Sequence, residues 1–105
     1  MSEKKCEMCR PGMPIFGDSE ITEALKALEG WAYCDKRDAI YRVFEFKGFY
    51  QVMAFVNAVA YIANQQAHHP DMIISYKKAV IYFKTHEASG ITENDIICAK
   101  QVNEL

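Results

Sequence analysis

Residues 48–67 carry no charged side chain over about the length of a helix that crosses a bilayer. Five amides interrupt the run, Gln51, Asn57, Asn64, Gln65 and Gln66. In hydrocarbon they would lack partners, so the segment reads as a helix of a soluble domain, covered on nearly all sides by protein. Apolar residues recur along it at steps of four and three, Phe49, Met53, Val56, Ala60 and Ala63, with Phe55, Val59 and Ile62 as a second row. Two rows need two covers. One face can lie on a sheet, and the other is expected to meet further copies of the chain in a homodimer or homotetramer.

The flanking sequence supplies the sheet. Aromatic and β-branched residues fill 31–34 and 39–46 around Asp35-Lys36-Arg37-Asp38, and 72–76 and 80–85 around Lys77-Lys78-Ala79, two hairpin patterns. Before the first, Asp18 is the expected cap of a helix with Glu20 and Glu23 in its first turn, Ile21, Leu25 and Leu28 on its apolar side and Gly30 as its stop. After the second, Thr92 and Asp95 form a capping-box pattern, Ile91 and Ile96 a hydrophobic staple, and Ala99 and Val102 continue the stripe of a last helix. Pro70 places the end of the long helix near residues 67–69. The order αββαββα, with strands arriving as hairpins, gives an α+β fold: a two-layer domain, a four-stranded antiparallel sheet with three helices on one face. That domain is expected over residues 18–105, behind an irregular arm, residues 1–17, broken by Pro11, Gly12, Pro14 and Gly17.

In a chain of 105 residues, 12 Lys and Arg against 14 Asp and Glu leave a net charge of −2, which disfavours binding to nucleic acid. The cysteines at 6, 9, 34 and 98 are too few and too uneven for a disulfide scaffold, and the first residues lack the apolar core of a secretory signal, so a reducing cytoplasm is the expected compartment. Cys6-Glu-Met-Cys9 has no second pair at matching distance and reads as two thiols on a loose arm.

The chemistry concentrates in His68, His69 and His86. A hairpin that leaves after Pro70, runs out about six residues at ~3.3 Å each and returns brings Thr85-His86 back beside His68-His69. Imidazole gives and takes protons near neutral pH, and a helix C-terminus favours its charged form, so the three can form a proton-transfer site. The competing reading makes the doublet a helix cap and His86 a loop residue. Shared zinc ligation suits the doublet poorly, because adjacent residues at a helix end point about 100° apart. Trp31 serves either as core or as the wall of a pocket for a planar ring.

The run His68-His69-Pro70, Tyr76, Thr85-His86, Gly90-Ile91-Thr92 and Asp95 resembles the signature of the pterin-4a-carbinolamine dehydratases, small enzymes of tetrahydrobiopterin recycling. Gly30-Trp31, Arg37-Asp38-Ala39-Ile40, and Arg42-Val43-Phe44-Glu45-Phe46 followed by Phe49 and Phe55 are similar to the same family, so the likeness spans residues 18–105. It implies a hydro-lyase that takes water from 4a-hydroxytetrahydropterin, a product of aromatic amino acid hydroxylases, to give quinonoid dihydropterin. No metal or coenzyme is needed, since one imidazole can protonate the leaving hydroxide and another accept the N5 proton. By resemblance His68 and His86 are acid and base in an order left open, and His69 positions the ring. The resemblance likewise places Pro70, Thr85, Glu87, Ala88 and Trp31 along the pterin. The implied partners are a pterin substrate, an aromatic amino acid hydroxylase by functional link, and further copies of the chain. Neither nucleic acid nor membrane is expected. The alternative, fed by Asn64, is a non-catalytic oligomeric interaction module or transcriptional coactivator; the animal form of the family doubles as a dimerisation cofactor for a homeodomain transcription factor. The chain departs from the family pattern at Ala88-Ser89 and at Asn64, where relatives usually carry a charge one turn before the first histidine.

Overall fold

The computed structural model describes residues 5–8 and 10–105. Three helices and four strands follow the expected order: α1 (Asp18–Lys26), β1 (Ala32–Cys34), β2 (Ala39–Glu45), α2 (Phe49–Gln66), β3 (Asp71–Ile74), β4 (Lys78–Phe83) and α3 (Glu93–Asn103). A 3-10 turn, His86–Ala88, lies between β4 and α3. The sheet order is β1-β2-β4-β3 with every neighbouring pair antiparallel, so β2 and β4 join the two hairpins at its centre. Side chains alternate between the two faces of that pair. Ile40 opposite Phe83, and Ala79 and Ile81 beside them, are fully buried with α2 and α3, whereas Tyr41 stacks on Tyr82 on the other face.

Helix α1 begins one residue earlier than its sequence indicates. Gly17 is the cap and Asp18 the first helical residue, because the Glu20 carboxylate reaches back to accept the Gly17 N–H at 2.9 Å. Gly30 then turns the chain at φ +85°, and a Cβ there would sit 2.4 Å from Arg42 Nε. No other residue suits both demands. The crossing Arg42 donates to the Glu29 carbonyl and to Asn103 Oδ1, which ties the end of α3 to the start of the sheet.

Helix α2 buries a different stripe from the one its spacing indicates. Val52, Val56, Val59 and Ala63 face the core, while Phe49 and Ala60 are exposed and Met53, Phe55 and Ile62 are half-buried. With apolar residues nearly all round the helix, periodicity does not select a face, and the small side chains allow the closest approach to the sheet. Strands β3 and β4 start earlier than the sequence reading, because Ser75 N–H donates to the Lys78 carbonyl and closes the hairpin around residues 75–77. No helix among the described residues is long and apolar enough to cross a membrane.

The described residues of the arm form no helix or strand and dock on the domain. Met13 is buried, Phe16 N–H donates to the Ile91 carbonyl at 2.7 Å, and Ile15 packs on Gly90. Cys6 is half-buried against the core, which corrects the reading of a loose thiol; Cys9 lies outside the described residues.

Candidate active site

Two backbone turns place the histidines. At the end of α2, Ala67 takes a left-handed conformation (φ 52°, ψ 37°), and the His68 N–H reaches back to the Ala63 carbonyl at 3.1 Å. This Schellman-type closure sends His68 off the helix and into the interior before Pro70 has any say. Beyond β4, Thr85 and Gly90 exchange backbone hydrogen bonds at 3.0 and 3.3 Å across the 3-10 turn, which holds His86 outward at its start.

His68 is 4% exposed, and its Nε2 lies 2.6 Å from Oδ1 of Asp95, which is fully buried. The other carboxylate oxygen of Asp95 accepts the Thr92 N–H and the Thr85 hydroxyl, each at 2.9 Å. Since the Thr85 proton is committed to Asp95, Thr92 Oγ1 donates to Thr85 Oγ1 at 2.7 Å. Asp95 therefore closes the capping box of α3 with one oxygen and holds the histidine with the other. Burial opposes charge on His68, but the hydrogen bond and the charge of Asp95, aided by Cys6 and Glu87, outweigh it, so the imidazole pKa is raised above the usual 6.5. The ring also stacks on Phe83 at 6.0 Å, and Phe83 is backed by Trp31 at 5.9 Å.

His68, His69 and His86 line one cavity of about 100 Å³ with Ala67, Lys84 and Glu87. The convergence expected from the hairpin geometry is present. A second cavity of about 220 Å³, lined by Asp38, Lys84, Thr85, His86, Ser89 and Gly90, shares Lys84 and His86 with the first. His69, His86 and Glu87 are exposed; Thr85 is buried, and its hydroxyl is engaged with Asp95. Pro70 and Ala88 are half-buried neighbours that line neither cavity. Trp31 lines neither: it is 6% exposed, packs on Phe44 and Phe83, and donates through Nε1 to Asn103 Oδ1 at 2.8 Å. Asn64 is exposed on the last turn of α2.

The sequence reading does not reach three features of the site. Its capping-box pattern accounts for Asp95 and hides the bond to His68; Lys84 falls within the expected strand 80–85, and Asp38, in the polar turn and the family-like run of the first hairpin, is given no role in the site. Among the described residues, the non-glycine residues with positive φ, Asp38, Ala67 and Ser89, each border one of these two cavities. Among the described residues no three His, Cys, Asp or Glu side chains form a metal-binding group.

Comparisons with known proteins identify the relatives of the chain. The family pattern of pterin 4 alpha carbinolamine dehydratase matches residues 15–105. A relative from Nitrosospira multiformis, named as a candidate pterin-4-alpha-carbinolamine dehydratase, is 42% identical over 100% of this chain and 91% of its own. One from Nitrosomonas eutropha with the same designation is 44% identical over 100% of this chain and 92% of its own. The crystal structure of a transcriptional coactivator/pterin dehydratase from Brucella melitensis superimposes with a TM-score of 0.82 at 37% identity, covering 87% of this chain and 97% of that one. The family match over residues 15–105, relatives 42% and 44% identical along the whole chain and the shared fold show that the chain belongs to the pterin-4a-carbinolamine dehydratase family of hydro-lyases.

Proposed function

We propose that the protein removes water from a 4a-hydroxytetrahydropterin and releases the quinonoid dihydropterin. The observation that carries this reading is the convergence of His68, His69 and His86 on one cavity, with His68 held by buried Asp95. Breaking the C4a–O bond requires a proton on the departing hydroxide, and forming the new double bond requires loss of the N5 proton. Asp95 favours the imidazolium of His68, which makes His68 the acid. His86, exposed across the cavity, is the base, and His69 orients the ring with Glu87. The cation of Lys84, anchored to the Arg37 carbonyl at 3.2 Å, stands between the two cavities and can face an oxygen of the substrate. No metal or coenzyme enters these steps.

The substrate is a product of aromatic amino acid hydroxylases, so a hydroxylation of that class supplies it, and the quinonoid dihydropterin released is the substrate for a separate two-electron reduction back to tetrahydropterin. We assign the activity to the cytoplasm on the sparse, uneven cysteines. The test is dehydration of carbinolamine generated in place by a hydroxylase, followed by the absorbance of the quinonoid product with and without this protein. A wild type that leaves the spontaneous rate unchanged while folded would sink the proposal and favour the interaction module, the role that the coactivator part of the Brucella protein's name describes.

The exposed side of α2, with Phe49, Tyr50 and Tyr61, supports assembly into dimers or tetramers through this helix. Light scattering at micromolar concentration should give a multiple of 12.0 kDa. A mass equal to one chain would exclude the assembly.

A further inference from the structure

The dehydration makes no use of sulfur, yet two thiols meet behind the His68–Asp95 pair. Cys6 Sγ lies 3.6 Å from Cys98 Sγ, joining the arm to the middle of α3 across 92 positions of sequence. The arm is set down there by specific bonds. Cys6 N–H donates to Gln66 Oε1 at 2.8 Å; Glu7 N–H donates to Asn94 Oδ1 at 3.0 Å and Asn94 Nδ2 to the Glu7 carbonyl at 2.8 Å. Asn94 precedes Asp95 and Gln66 ends α2, so this docking point backs onto both elements that hold the buried pair.

We propose that Cys6 and Cys98 form a dithiol–disulfide site, oxidised by a small-molecule disulfide, which in its closed form clamps the arm over the His68–Asp95 pair. The two cysteines divide the work. Cys6 is partly exposed and reachable from solvent, while Cys98 is fully buried with the Cys6 sulfur close by. Contact with Cys98 lowers the pKa of the Cys6 thiol from its ordinary value, against the opposing effect of burial and with help from His68, and this favours the thiolate that attacks. The Cys6 thiolate displaces one thiolate from the small disulfide and forms a mixed disulfide. Cys98, giving up its proton, then attacks the Cys6 sulfur and releases the second thiolate. Two protein thiols are oxidised, one disulfide is reduced to two thiols, and the two protons pass to the leaving sulfurs. A bonded S–S distance is about 2.05 Å, so the sulfurs must close by about 1.5 Å, a movement the irregular arm can supply and α3 need not. Closure also removes the Cys6 charge that helps to keep His68 protonated.

The test uses reduced wild-type protein incubated with oxidised glutathione, alkylated with iodoacetamide, digested and mapped by mass spectrometry. The expected product is a Cys6–Cys98 cross-link, reversed by dithiothreitol, with Cys34 still alkylated. In Cys98→Ser the reaction should stop at a glutathione adduct on Cys6, and in Cys6→Ser no cross-link to Cys98 should form. A cross-link between Cys6 and Cys9 that leaves Cys98 a thiol, or a wild type that halts at the glutathione adduct, would overturn the proposal. The wild-type map decides the matter even where a variant fails to fold.

Discussion

Replacing Asp95 by alanine should lower the free energy of unfolding by about 3–5 kcal/mol, the usual cost of stripping one partner from a buried charged pair. The loss combines three effects at one side chain: the capping box of α3 loses its bond to the Thr92 N–H, the Thr85 hydroxyl is left with a buried proton, and the His68 imidazole loses its counter-charge. Asp95→Asn keeps the shape and an oxygen for the Thr92 N–H, and should cost less than half as much. The two variants also differ in what they reveal about pH. Because His68 has a folded-state pKa above its unfolded value, its contribution is fully present below about pH 6.5 and fades as pH rises through the raised value. The stability gap between wild type and Asp95→Asn should therefore narrow as the buffer is moved from pH 6 upward. Urea unfolding at several pH values measures both quantities; an Asp95→Ala loss under about 1 kcal/mol, or a gap that widens with pH, would refute the assignment.

His86→Ala should reduce the dehydration rate by about 10²-fold or more with little change in thermal midpoint, since His86 is exposed and its removal opens no cavity. His68→Ala should reduce the rate at least as much, but it also empties a buried position against Phe83 and leaves Asp95 short of a partner. His68→Gln offers Asp95 an amide donor in place of the ring and separates loss of acid from loss of fold. Steady-state rates beside thermal melts distinguish the cases. Wild-type rates in His86→Ala would remove the base from the mechanism, and wild-type rates in a folded His68→Gln would remove the acid.

Features fixed by neighbouring residues were legible in the sequence. Thr92 and Asp95 lie within one helical turn, so the start of α3 could be read directly, and hairpin lengths sufficed to bring His86 back to the doublet because strand rise is nearly constant. Features decided by distant contacts were not. The face of α2 stayed hidden because Phe49, Met53 and Phe55 are as apolar as the valines that won the core. The bond from Asp95 to His68 depends on the left-handed turn at Ala67, and alanine gives no sign of such a conformation. Cys6 meets Cys98 across nearly the whole chain, from an arm without period.

The left-handed residues Asp38, Ala67 and Ser89 each pay a steric penalty that glycine would avoid, of about 1 kcal/mol apiece, and each stands on the rim of the cleft. That penalty is met by the fold as a whole, at the moment the chain collapses, and not again when a ligand arrives. A ligand of this cleft thus meets a recess whose rim is already shaped. Little of its binding energy is then spent on ordering the protein, and more remains for aligning it against the histidines.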